Sequence, residues 1–281
     1  MSFAQVAEVS DAQMDKFCDL IYRTTGVRIP RQKKTLMTNR LRRRLRETNL
    51  ADFDAYYKLL CTVGQQHPEW VSFLQEITTH VTYLFRDQNQ WDWLRDHGLK
   101  EAAADARAFR RTKTYRVWSA ACSTGDEATT IGCCISAGLP DFPQWKVQIL
   151  GTDIGADAVA QAQKLTFDAR AMNLVPDAAK RNYFVNQPDG SWKAKPTLAS
   201  LMTFRTHNLM KPLTEAPFDL IVLKNVMIYF DAESKRTVLG HVRKVLKTGG
   251  YLITDSASTE GTADVLRSLT RLQPWLYRRD D

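Results

Sequence analysis

No stretch of this 281-residue chain approaches the roughly 18 unbroken apolar residues that a membrane-spanning helix needs. Insertion into a membrane is therefore not expected. Residues 1–10 carry Glu8 and lack a basic start followed by an apolar core, which predicts no secretory signal. Cysteine is sparse. The five residues Cys18, Cys61, Cys122, Cys133 and Cys134 are odd in number, irregular in spacing and form no CxxC. This argues against a disulfide framework or a zinc site and predicts a reduced, cytoplasmic chain. Cys133 and Cys134 read as small core residues of a buried helix. Phosphate-cradling loops are missing as well: neither GxGxxG nor GxxxxGK[ST] occurs. There is no internal repeat, no low-complexity tract and no obvious Cys–His or Ser–His–Asp arrangement.

What is present is ordinary globular composition, 44% hydrophobic and 25% charged. The length suits one large domain or two unequal ones. The net charge of +8 favours an anionic partner. Nucleic acid, acidic lipid and an acidic protein surface all qualify on charge alone.

The first hundred residues read as helices. Met14, Phe17, Cys18 and Ile21 recur at helical spacing, and Gly26 and Pro30 end that helix. A second helix spans 33–47, with Leu36, Met37, Leu41 and Leu45 on one face. Shorter helices are expected over 52–60 and 70–78. From Tyr115 onward, strands alternate with helices. Strands are expected over 115–120, 147–154, 218–225 and 249–255, and helices over 126–137, 157–164 and 231–246. This rhythm predicts right-handed βαβ units and a mostly parallel sheet. The turn at Pro188–Gly190 interrupts it and predicts a small antiparallel excursion over about 182–207. The resulting division is a helical domain over 1–111 and an α/β domain over 112–281, with a boundary near Thr112.

Ligands of such sheets bind beyond the C-terminal ends of the strands. The loop after the first strand, Ala120 to Glu127, is built of small residues and one glycine, which lets a ligand approach the backbone. Asp126 and Glu127 would repel a phosphate and suit a cationic ligand, or else simply favour the start of the next helix. Asp153 ends the second strand, where an acid can accept hydrogen bonds from both hydroxyls of a ribose. A ribose acid beside a small-residue loop that is no phosphate cradle points to a nucleoside cofactor, S-adenosylmethionine in preference to a dinucleotide.

Five segments in order carry a wider resemblance: Thr78 to Arg86, Val117 to Glu127, Gly151 to Ile154, Asn208-Leu209, and Phe218 to Asp231. Together they resemble the chemotaxis receptor methyltransferase family, CheR, from Phe17 to Ser258. The resemblance implies a Rossmann-like α/β domain that binds S-adenosyl-L-methionine, a small antiparallel β-subdomain within it, and an all-helical domain before it. It implies methylation of glutamate side chains on bacterial chemoreceptors, with S-adenosyl-L-homocysteine as product. Carried over by position, cofactor contacts fall on His80, Thr82, Arg86, Glu127, Asp153, Asn208, Leu209, Lys224 and Asn225, with Arg86 and Tyr229 near the transferring methyl. A glutamate carboxylate, with an ordinary pKa of about 4.3, is already ionised at neutral pH. No general base is required, so the missing nucleophile–base pair is consistent with this chemistry. This chain departs from the usual family pattern at His80, Lys224, residues 126–130 and residues 255–258. The first two are commonly Asn and Arg.

The basic cluster over 31–46 completes the reading. Arg40, Arg43 and Arg44 share a helical face by i, i+3 and i+4 spacing. The resemblance makes that face a dock for the acidic helical region of a receptor, and a solvated face is the plainer alternative. No RNA-binding motif or interleaved aromatics accompany the charge, so nucleic acid ranks lower. The short turn over 186–192 predicts no need to grip a receptor's C-terminal pentapeptide. The alternatives are the same fold and cofactor acting on a pilus-type receptor or an RNA, or a cofactor-binding module that has lost activity.

Overall fold

The structure is a computed structural model, and it describes residues 8–79, 81–255 and 262–281. His80 and residues 256–258 lie outside these, as do residues 1–7 of the expected non-signal start.

Four helices open the chain: α1 (Asp11–Thr25), α2 (Lys34–Thr48), α3 (Phe53–Thr62) and α4 (Pro68–Ile77). Ser10 begins α1 with a capping box, its hydroxyl taking the Gln13 N–H while Gln13 takes the Ser10 N–H. Gly26 ends it at φ 71°, packed so closely on Met210 that a Cβ would lie 2.5 Å from the sulfur. Phe17, Tyr56, Trp70 and Phe73 fill the space between the helices. Phe73 meets Trp70 and Tyr56 edge-on, at ring separations of 5.6 and 6.0 Å.

The next helical stretch behaves differently. α5 (Gln88–Trp93) runs through a π-helical turn at Leu94–Gly98 into α6 (Leu99–Arg107). Its apolar side, Trp91, Leu94, Leu99, Ala102 and Ala103, packs into the same core as Tyr115, Val117 and Ile131. The boundary expected near Thr112 is therefore misplaced. The helical core closes on itself by Ile77, and α5 and α6 belong to the α/β body.

That body alternates as expected: β1 (Thr114–Ala120), α7 (Asp126–Gly138), β2 (Lys146–Asp153), α8 (Ala156–Lys164), then, after an insertion, β6 (Met202–Thr206), β7 (Phe218–Leu223), α11 (Ala232–Val245) and β8 (Leu246–Thr254). The chain closes with a short helix, α12 (Ala263–Leu266), and two strands, β9 (Thr270–Gln273) and β10 (Leu276–Arg278). The sheet order is β6-β2-β1-β7-β8-β10-β9. The first five strands are parallel, with Val117 beside Ile149 on one flank and Leu220 on the other. Strand order reverses at β1 and β7, which makes the crevice beyond their C-terminal ends the ligand position for this sheet type.

The insertion holds β3 (Thr166–Phe167), α9 (Asp177–Tyr183), β4 (Phe184–Asn186), β5 (Trp192–Ala194) and α10 (Pro196–Ala199). The antiparallel order β3-β5-β4 is as small as expected, but its limits differ from 182–207. It begins earlier, at Thr166, and β6 belongs to the main sheet, pairing in parallel with β2 from Ile149–Met202 onward. β6 is an edge strand with mostly accessible side chains, so it lacks the apolar run that marked the central strands. No helix among the described residues is long and apolar enough to cross a membrane.

Candidate cofactor and substrate cleft

One cleft lies where the strand order reverses, and the helical domain forms its far wall. From the sheet side it is lined by Ser123, Glu127, Asp153, Leu209, Lys224 and Asn225. From the helical side come Arg28, Lys33 and Arg40, with Thr82 and Arg86 on the segment between the domains. Tyr229 lines it from the loop after β7. Of the residues expected to contact cofactor or methyl group, all that the structure describes are brought together here, and His80 lies outside the described residues.

The loop after β1 is held open by its backbone. Ala121 and Ser123 sit at φ 68° and 50°, in the left-handed region that non-glycine residues rarely adopt. The Ser123 N–H donates to Asp153 Oδ2 at 2.8 Å, and the Gly155 N–H donates to Oδ1 at 2.9 Å. Asp153 is thus buried with both oxygens oriented. The two acids of the loop part ways. Glu127 faces the cleft, taking a 2.7 Å bond from the Ser119 hydroxyl. Burial pushes its carboxyl up, while the Lys224 cation and that hydroxyl pull it down. Asp126, by contrast, is 2% exposed and turned toward the Thr124 hydroxyl, 2.6 Å away. Only Glu127 can meet a cationic ligand.

Three of these residues are already engaged. Asn208 Nδ2 donates to the Thr24 carbonyl at 2.7 Å, and its Oδ1 accepts the Met210 N–H at 3.0 Å. It fastens the end of α1 to the loop after β6. The Lys224 ammonium lies 2.9 Å from Asp87 and 4.8 Å from the Trp91 ring centroid. The Asn225 N–H donates to Asp255 at 2.6 Å, which supports its φ of 59°. Thr130, part of the run that departs from the family pattern, ties the interdomain segment to α7 by accepting the Phe85 N–H at 2.9 Å.

The basic face is revised. Arg44 is 7% exposed, and its guanidinium meets Glu69 through two bonds of 3.0 and 2.7 Å, with the Tyr56 hydroxyl also on Glu69. It is a core ion pair and cannot dock a partner. Helical spacing groups residues on a face but does not show that α4 packs against that face. Arg43 remains exposed and pairs with Glu76, and Arg40 reaches the Ile77 carbonyl and Thr79 beside the cleft. Arg28 and Lys33 are cleft residues that the motifs did not mark. Lys33 lies 5.7 Å from the Tyr229 ring centroid, and its membership of the basic cluster was the only available signal. Among the described residues no cluster of His, Cys, Asp or Glu is placed to hold a metal ion.

A parallel sheet with an oriented acid after β2, a strained small-residue loop after β1 and no phosphate cradle defines an α/β enzyme of the S-adenosylmethionine-dependent methyltransferase fold. Residues 80–268 match the CheR methyltransferase SAM-binding domain, and residues 12–78 match the CheR all-alpha domain. The chain is 30% identical to the chemotaxis protein methyltransferase of Salmonella typhimurium over 96% of this chain and 91% of that one. It is 34% identical to the Escherichia coli protein of the same name, over 87% and 83% of the two chains. The similarity to the Borreliella burgdorferi chemotaxis protein methyltransferase is 27% identity over 97% and 95%. The chain belongs to the CheR methyltransferase family, and its activity is S-adenosylmethionine-dependent methyl transfer in chemotaxis.

Proposed function

We propose that this enzyme acts in the cytoplasm and esterifies glutamate side chains on the acidic helical region of bacterial chemoreceptors. The observation that carries this is the division of charge within one cleft. Glu127 and Asp153 line the sheet side, Arg28, Lys33 and Arg40 line the facing helical side, and Arg86 lies on the segment between them. The acidic wall suits a cationic nucleoside, and the basic wall suits a carboxylate.

The donor set fits S-adenosylmethionine, which supplies an electrophilic methyl group on a sulfonium. Asp153 holds the ribose hydroxyls, with its oxygens pre-aimed by two backbone N–H groups. Glu127 attracts the positive charge. Thr82, Asn208, Leu209, Asn225 and the backbone of Lys224 complete the cofactor wall. Arg86 binds the incoming carboxylate as a fork, and Tyr229 walls the methyl group or donates to the same carboxylate. No residue need remove a proton, because the nucleophile arrives ionised. The protein contributes orientation and removal of water. Arg40 and Arg43 steer the acidic helix toward the cleft.

Incubation with labelled S-adenosylmethionine and receptor-rich membranes is expected to give base-labile methyl esters on the receptor. Label on RNA, or cofactor binding without any transfer, would defeat the reading.

A further inference from the structure

Lys224 stands where the resemblance places a cofactor contact, yet its ammonium is engaged by Asp87. It is 2% exposed, and its ammonium is 2.9 Å from Oδ2 of Asp87, which is 42% exposed. We propose that Lys224 is a positioning residue: through its ion pair with Asp87 it fixes the backbone that presents Arg86 to the cleft. The inference rests on the reading of Arg86 as the carboxylate clamp.

The local backbone gives such a tie something to hold. Arg86 lies between two non-glycine residues in the left-handed region, Phe85 at φ 59° and Asp87 at φ 61°. L-residues adopt this conformation only where the surroundings impose it. Three ties do so here. The Phe85 N–H donates to the Thr130 hydroxyl at 2.9 Å. The Trp91 indole N–H donates to the Arg86 carbonyl at 2.6 Å. The Lys224 ammonium closes the set on Asp87. Trp91 serves twice, since its ring face also lies 4.8 Å beneath the Lys224 ammonium. Lys224 directly follows β7, so the segment is anchored to the centre of the sheet. A point charge is sufficient for one carboxylate oxygen, whereas binding a carboxylate by a two-pronged fork would need arginine.

The test compares Lys224→Met, Lys224→Arg, Asp87→Asn and the Lys224→Met/Asp87→Asn double variant. Three readouts are taken: affinity for S-adenosylhomocysteine by calorimetry, kcat on receptor membranes, and hydrogen exchange of the Phe85 amide. Each of Lys224→Met and Asp87→Asn is expected to lower kcat about tenfold and to speed exchange at Phe85, with the double variant no worse than the poorer single one. Affinity for S-adenosylhomocysteine should stay within about threefold, and Lys224→Arg should restore most of kcat. If Lys224→Met weakens that affinity about tenfold or more while Asp87→Asn is silent, the lysine binds cofactor directly and the proposal fails. Unchanged Phe85 exchange in both variants also overturns it. Should Lys224→Met not fold, Asp87→Asn carries the test, because Asp87 is the exposed partner of the pair. If the wild-type enzyme leaves receptors unmethylated, the reading of the substrate falls, while the exchange and affinity measurements still decide the tie.

Discussion

Asp153 accepts the Ser123 N–H at 2.8 Å, so the acid that ends β2 is fastened to the loop that ends β1. With the Gly155 N–H on its other oxygen, the carboxylate is held in a fixed orientation. Asp153→Ala removes the acceptor and leaves two N–H groups without it. The expected outcome is about 100-fold weaker binding of S-adenosylhomocysteine, equivalent to about 3 kcal/mol. Asp153→Asn should lose nearly as much, since its NH2 would face a backbone N–H. Titration calorimetry checks both, and affinity of Asp153→Ala within about threefold of wild type would remove this residue from the cofactor site.

Arg43 and Arg44 are neighbours in sequence with opposite expected phenotypes. Arg44→Ala breaks a buried pair and leaves Glu69 uncompensated, at an expected stability cost of about 3–5 kcal/mol. Urea unfolding of the purified protein measures this. Arg43 is exposed, and its pair with Glu76 contributes no more than about 1 kcal/mol. Arg43→Ala should instead slow receptor methylation at low ionic strength, with the difference fading as salt rises. Equal destabilisation by the two variants would contradict the burial described for them.

The contrast shows how far the sequence can be read. The alternating strands and helices from Tyr115 onward were legible because central parallel strands carry mainly apolar runs, as in the buried Phe218–Leu223, where Asp219 is the one charged residue. Asp153 and the loop Ala120 to Glu127 were legible because they follow strand ends, whereas Thr82, Arg86, Asn208, Leu209, Lys224, Asn225 and Tyr229 were marked only by the family resemblance. Other features were not legible. β6 is an edge strand, β9 is exposed along its whole length, and neither gives a clear apolar signal. The burial of Arg44 depends on Glu69, which lies on another helix at a distance no local pattern encodes. The partner of Lys224 was also hidden, because Asp87 reads as an ordinary start to α5. The domain boundary was misjudged for a related reason: α5 and α6 are helices, and composition alone cannot tell which core a helix packs against.

The antiparallel insertion bears on the receptor tether. Its turn is closed within residues 187–191, where the Gln187 N–H donates to the Ser191 carbonyl at 2.8 Å and Gly190 takes φ 82°. The edge strands β3 and β4 have only two and three residues. Capture of a peptide by strand addition relies on main-chain bonds along such an edge, and little edge is available. A pentapeptide from a receptor C-terminus is therefore expected to show no heat of binding at concentrations near 100 µM, that is, a Kd weaker than about 1 mM. A low-micromolar Kd would establish a tether that the shortness of this turn argues against.

The pH dependence of stability should carry the mark of Asp126. Its carboxyl is buried in the first turn of α7, and desolvation raises its pKa more than the Thr124 hydroxyl and the local backbone N–H lower it. Asp168 adds a further upward push. The native state therefore holds this proton more tightly than the unfolded chain does. Its contribution to stability is fully present below the unfolded pKa and is lost as pH rises through the folded pKa. Burial raises Glu127 in the same direction. Asp126→Asn keeps an oxygen to accept from Thr124 but cannot ionise. Relative to wild type, its urea midpoint should be higher at about pH 8 and lose that advantage at about pH 4. A difference between the two proteins that is the same at both pH values would show that Asp126 titrates normally in the folded enzyme.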